Sequence, residues 1–487
     1  VILAAEYLYG SAAAGKLVLR RCLAVILTVT SLAYCATALS QPSSLNRVLF
    51  DPRPLDGSPL PVPVLAVPVP AMQPQTEVRD LGLDAQTVAR YLDDIAAEEL
   101  DEGPFAPDLM EQFLALGEAY QQGGNHEEAL AAFEKADYIS RINSGLHTPQ
   151  QFTIVENMIA SHLARGEVDE ANSRQQYLLF LNRQYYGDGS LEVVPALATL
   201  GHWNLDAFRA MLNQRNASNL TIEHTAPRGI NAPSPRLLAF ANLYQARLNF
   251  YDAISNLLQH QRYDDPRLIG LERMLIETEF MAASREGIMH NPDFYMDMRG
   301  AYTGTRITRS RRSNQVNFIN GRNAHERIRI YQEAMRMEPL EVAKTIISLA
   351  DWHLLFDRQV GALDLYREAS RYMREHGMDQ ARIDALLSPA IPQQLPVFTP
   401  LPHSRAKFGI APDASVDYDG HIDVSFRVSR FGNAGRIEVV DQQGPVTADM
   451  LRRLRRLLNS TPFRPRFIAG EPATKDEVTV RYYFEQL

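Results

Sequence analysis

Four arginines within five residues, Arg452, Arg453, Arg455 and Arg456, form a compact source of positive charge near the C-terminus. Leu451, Leu454, Leu457 and Leu458 interleave with them at helical spacing, so one side of a helix is apolar and the guanidiniums project from the rest. Such a surface suits docking to an acidic protein, to peptidoglycan or to an anionic membrane surface. A solvated helix face is the competing reading, and salt-sensitive binding separates the two. Asp419, His421 and Asp423 are ligand types at i, i+2 and i+4, opposite an apolar strand face. A solvated outward face accounts for them. His353 is expected to pack inside a helical hairpin, and His224, His260 and His290 have no spaced partners. Arg306, Arg309, Arg311 and Arg312 lack a glycine-rich cradle or interleaved aromatics, so they read as solubilising an insertion rather than binding an anion. The acidic residues between Asp93 and Glu102 lack the spacing and glycine turn of a calcium loop. Neither HExxH, GxSxG nor a phosphate-binding glycine loop is present. The expectation is a protein with no catalytic, cofactor-binding or metal-binding residues, no cofactor, and no enzymatic activity.

These groups sit in a chain of 487 residues, too long for one hydrophobic core. Its 45% hydrophobic and 22% charged content is that of a globular protein, and a net charge of -9 argues against nucleic acid as a partner. Both cysteines, Cys22 and Cys35, fall within a segment where Lys16, Arg20 and Arg21 precede an apolar run ending in Ala36 and Ala38. That order reads as an export signal over residues 1–38, with a retained membrane anchor as the alternative. Cleavage after Ala38 would leave a cysteine-free chain, stable in an oxidising periplasm through packing alone. Residues 39–78 are rich in alternating Pro and Val, which disfavours helix and predicts an extended spacer.

The stretch 113–136 supplies the organising pattern. Phe113, Leu116, Gly117 and Tyr120 lie along one helix, Gly123-Gly124 breaks it, and Ala129, Phe133 and Ala136 stripe a second. Small residues at Gly117 and Ala129 allow close approach of two antiparallel helices. This pattern resembles the tetratricopeptide repeat. Leu349, Ala350, Ala362, Tyr366 and Ala369 match it again, with His353 at the large-residue position and the same thirteen-residue interval from Leu349 to Ala362 as from Leu116 to Ala129. A less complete match covers 152–185, where Ala171 lies 42 residues after Ala129, and Tyr331, Ala334 and Pro339 close another unit. Helices are expected at about 84–101, 235–260 and 266–286. The first of the two longer ones carries Leu237, Phe240, Tyr244 and Leu248 on one stripe with Leu243 beside it, and the second Leu268, Leu271, Leu275 and Phe280. Residues 217–234 read as a loop and 287–322 as a polar, poorly periodic stretch. The helical repeat domain is assigned to 79–388 and a linker to 389–405.

From 406 the periodicity changes. Ile422, Val424, Phe426 and Val428 alternate with polar residues, a glycine turn leads into Arg436–Val440, a helix covers 447–459, and Val478, Val480, Tyr482 and Phe484 form a last strand. The segment 406–487 resembles the C-terminal domain of the TonB family in this order and in Phe463-Arg464-Pro465 with Gly470. The resemblance implies a periplasmic module that contacts an envelope protein, often by strand addition. The expected fold is mainly α: a helical superhelix followed by a small β-β-α-β domain with an antiparallel three-stranded sheet. The expected function is an exported envelope scaffold binding protein or peptide partners. The alternative is a TonB-like component of energy-coupled outer-membrane transport, anchored in the inner membrane.

Overall fold

Glycine turns and alanine stripes translate directly into helical hairpins. The computed structural model describes residues 48–54, 85–213, 235–290, 312–389, 392–395, 419–473 and 477–486. The N-terminal apolar segment with both cysteines, most of the proline-rich stretch, the loop 217–234, residues 396–405, and Arg306, Arg309 and Arg311 lie outside them. After α1 (Ala85–Asp101) come α2 (Leu109–Gln122) and α3 (His126–Ser144), α4 (Gln150–Ala164) and α5 (Val168–Tyr186), α6 (Val194–Asn213) and α7 (Pro235–Gln259). Next are α8 (Arg267–His290) and α9 (Arg312–Ala334), then α10 (Pro339–Leu355) and α11 (Gln359–Glu375), and the short α12 (Gln380–Leu387). Helices pack pairwise in that order, each pair resting on the next.

Gly124 and Gly166 turn the first two hairpins at φ of 77° and 75°, a conformation that a side chain would strain. Within the first hairpin, Ala129, Phe133 and Ala136 are fully buried, and Gly117 has no room for a Cβ because the Phe133 ring occupies it. Ala362, Tyr366 and Ala369 of α11 are buried at the same intervals. So are Ala246, Phe250 and Ala253 of α7, where a Cβ on Gly201 of α6 would stand 2.6 Å from the Phe250 ring. One packing device thus serves three hairpins.

This corrects the stripe expected on α7. Tyr244 is 57% exposed and Leu248 37%, whereas Leu243, Ala246, Phe250, Ala253 and Leu257 face α6 and α8. Close helix packing selects the face with small residues, and Tyr244 and Leu248 fall outside it. The Leu237 and Phe240 side chains are not among those described. A second correction concerns 287–322, expected to be poorly periodic. Helix α8 continues to His290 and α9 begins at Arg312. Its early residues hold the core: Phe318 is buried, and its carbonyl accepts from the Trp352 indole N–H at 3.0 Å.

The C-terminal module contains β2 (Gly420–Val428), β3 (Ala434–Gln443), α13 (Ala448–Ser460), a small hairpin of β4 (Arg466–Ile468) and β5 (Glu471–Ala473), and β6 (Val478–Gln486). Strand β2 pairs antiparallel with β3 on one side and β6 on the other. A further strand, β1 (Val48–Pro54), adds beyond β6 to give the order β1-β6-β2-β3. Part of the stretch expected to be only a spacer is therefore a sheet strand. Thr447 caps α13, its hydroxyl accepting from the Met450 amide at 3.3 Å. Ile422, Val424, Phe426 and Val428 are buried, as are Met450, Leu454 and Leu458 of α13, while Leu451 and Leu457 are half-buried.

The last hairpin and this module are joined by a buried ion pair. Arg464 donates from Nε and Nη2 to the two carboxylate oxygens of Asp351 in α10, at 2.9 and 2.5 Å. The Tyr366 hydroxyl in α11 donates to the same carboxylate at 2.5 Å, and Phe467 packs on the Tyr366 ring with centroids 5.2 Å apart. Residues 392–395, expected to be linker, fasten the joint further: the Leu395 amide donates to the Pro462 carbonyl and the Arg464 amide to the Gln393 carbonyl.

Candidate interaction surface

The second helices of the first two hairpins carry more exposed aromatic surface than their own packing requires. Tyr138 of α3 is 54% exposed and lies edge-on to Phe105, 5.8 Å between centroids. One turn on, Ile142 is also exposed, and Leu146 in the following loop is 66% exposed. His147 meets Phe180 of α5 edge-on at 5.3 Å, and Phe180 stacks on Tyr177 at 6.2 Å. Tyr185 and Tyr186 end the same helix and pack around Phe152.

A polar clasp fixes this surface across the two hairpins. Arg141 pairs with Asp137 at 2.5 Å and donates to the Tyr177 hydroxyl at 3.2 Å, and Asp137 accepts from Gln151 of α4 at 3.0 Å. Burial foremost raises the Tyr177 pKa, which keeps the phenol neutral beside Asp137. Exposed aromatic clusters rimmed by polar groups are what protein interfaces use. Sequence reasoning missed them, although a signal existed. Phe180 follows Tyr138 by 42 residues, the offset that also separates Ala171 from Ala129, so each aromatic stands nine residues after the buried alanine of its helix.

A second polar group lies deeper. Glu272 and Glu279 are fully buried two turns apart on α8. Glu272 accepts from Arg327 of α9 at 2.5 and 2.8 Å and from the Tyr331 hydroxyl at 3.3 Å. Glu279 pairs with Arg247 of α7 at 2.9 Å and accepts from Asn320 of α9 at 3.2 Å, while its Oε2 has no hydrogen-bond partner among the described residues. Together they pin α7, α8 and α9 in register. Burial outweighs Arg247 and pushes the Glu279 carboxyl up to about 7. The folded protein therefore holds a proton that the unfolded chain releases near pH 4.5. Stability is expected to fall by about 3 kcal/mol as pH rises from about 4.5 to about 7 and to level off above that. Denaturant unfolding across this range checks it: Glu279→Gln should remove that slope, and an unchanged slope would exclude Glu279 as its source.

The residues singled out in the sequence are dispersed. Arg452, Arg455 and Arg456 are exposed on α13, while Arg453 is half-buried. Asp449 pairs with Arg453 at 2.6 Å and Arg452 at 3.2 Å, so the cationic surface is partly neutralised. His353 packs edge-on to Phe318 at 5.0 Å, in the hairpin role expected of it, and burial lowers its pKa to about 4. His260 contacts the Gly189 carbonyl, whereas His224 and the His290 side chain lie outside the described residues. Asp419 is exposed, but His421 and Asp423 are not solvated as expected: both are buried. Side chains of the flanking strands cover them. Arg481 of β6 reaches Asp423 with two donors at 2.8 Å, and Tyr483 packs by the imidazole.

No protein-family model and no curated protein matches the chain. Among solved structures, a crystal structure of BtubC (BKLC) from P. vanneervenii is similar over 62% of this chain and 94% of that one. The identity is 12% and the TM-score 0.32, a likeness too distant to carry an argument.

Proposed function

We propose that this protein is a non-catalytic scaffold of the bacterial envelope, exported to the periplasm, that binds protein or peptide partners on its tetratricopeptide-like hairpins. The observation that carries the reading is the exposed aromatic surface of α3 and α5, which joins two successive hairpins through the Arg141 clasp. Stacked hairpins suit this role because each needs only its neighbours for stability, leaving an extended surface free. An apolar peptide or helix face would bury Tyr138, Ile142 and Phe180 without disturbing the core. The C-terminal module, with its four arginines on α13 and β3 at one edge of its sheet, would contact a second envelope component. The buried Arg464–Asp351 joint favours a scaffold over a TonB-like transducer, since it fixes this sheet to the helices instead of leaving it at the end of a tether.

Site-specific photo-crosslinking in envelope preparations tests the reading. A crosslinker at Ile142 or Phe180 should capture a discrete partner that one at Val360, which is more exposed on α11, does not. Capture should disappear in a Tyr138→Ala variant whose melting is unchanged. Identical products from Val360, or none from the aromatic surface, would overturn the proposal.

A further inference from the structure

On the polar face of the C-terminal sheet, Asp423 of β2 and Asp441 of β3 are direct cross-strand partners, so their carboxylates emerge side by side. Like charges so placed repel each other, and Arg481 compensates only Asp423. His421 is two residues along the same face, about nine-tenths buried, and its ring nitrogens have no hydrogen-bond or ion-pair partner among the described residues. A nitrogen of this imidazole and one oxygen from each carboxylate lie within 4.8 Å of one another.

We propose that His421, Asp423 and Asp441 hold one divalent transition-metal ion of the zinc class across the β2–β3 pair. Metal bonds of ~2.0–2.2 Å from each ligand can meet between atoms so arranged, after small side-chain rotations. The imidazole selects this class: calcium and magnesium take oxygen ligands, in greater number than two carboxylates supply. The Arg481 pair is compatible with the ion. Each Asp423 oxygen gives one lone pair to the guanidinium and keeps another, so Arg481 becomes the outer partner that orients the ligand. Asp441 is exposed, which opens a route for the ion and a position for water. Strand register is interrupted beside the site, between Asp423 and Val424, where β3 carries an extra residue opposite β2. Bulges of this kind re-aim side chains next to functional sites.

Zinc titrated calorimetrically into the full chain, with a competing chelator, tests the assignment. One ion per chain is expected at submicromolar to micromolar affinity. Asp441→Asn should weaken binding by about 10-fold or more, and His421→Gln more still. Because Asp441 is exposed and has no partner to lose among the described residues, its variant should melt as the parent does. Cobalt in place of zinc should give the intense visible absorption of a low-coordinate site, lost in both variants. Absence of saturable binding at submillimolar zinc overturns the proposal, as does affinity that neither substitution changes, which would mean an adventitious ion on other histidines.

Discussion

Replacing Arg464 with Ala is expected to destabilise the folded protein by about 3–5 kcal/mol, because it leaves the Asp351 carboxylate buried without its counter-charge. The Asp351 side chain is almost wholly enclosed, and its oxygens are committed to Arg464 and to the Tyr366 hydroxyl. Removing the guanidinium exchanges two charge-assisted hydrogen bonds for a cavity that water reaches poorly. The damage should be directional. Hydrogen exchange should speed up first in β4, β5 and the underside of α11, where Phe467 packs on Tyr366, and only later in α2–α5. A triple variant, Asp351→Leu with Arg464→Met and Tyr366→Phe, should recover most of the loss, since an apolar set of similar volume often replaces a buried ion pair without penalty and no buried hydroxyl is then left unpaired. Denaturant unfolding of the parent and the two variants provides the comparison. Parental stability in Arg464→Ala would show that the joint contributes nothing.

Gly321→Ala is expected to cost about 1–3 kcal/mol, and at the upper end of that range. The added methyl on α9 would overlap Cζ2 and Cε2 of Trp352 and stand 2.8 Å from Cη2. The indole has little freedom to yield. It is fully buried, its N–H is tied to the Phe318 carbonyl, and Phe356 packs against it at 4.7 Å. The Gly321 carbonyl also receives the buried His325 ring at 2.7 Å, so a displaced α9 would disturb that contact and the His325–Ser348 bond beyond it. Thermal melting and near-ultraviolet dichroism of the two tryptophan environments read the effect. An unshifted melt would mean that α9 and α10 are free to separate.

Helices, turns and apolar stripes were largely legible in the chain. They depend on local spacing: Gly117, Ala129, Phe133 and Ala136 define a hairpin whatever surrounds it, and Thr447 announces the start of α13. The hairpin of α6 and α7 was less legible for a definite reason. Its Ala246, Phe250 and Ala253 repeat the intervals of Ala129, Phe133 and Ala136, but about thirty further residues separate them from Gly201, which hides the interval linking the two helices. The exposed aromatics were overlooked because a tyrosine on a helix is read as core until its neighbours are known.

Composition and local periodicity settled that the chain is mainly helical, that it ends in a small mixed module, and which alanines and glycines bring helices together. Contacts between residues distant in sequence settled the rest. Arg464 lies 113 residues from Asp351, and Arg481 lies 58 from Asp423. Neither pair has a periodic signature, because an ion pair imposes no constraint on the sequence between its members. The same holds for His421. Its place two residues before Asp423 reads as a polar strand face, and only the arrival of β3 and β6 on either side buries it beside a second carboxylate.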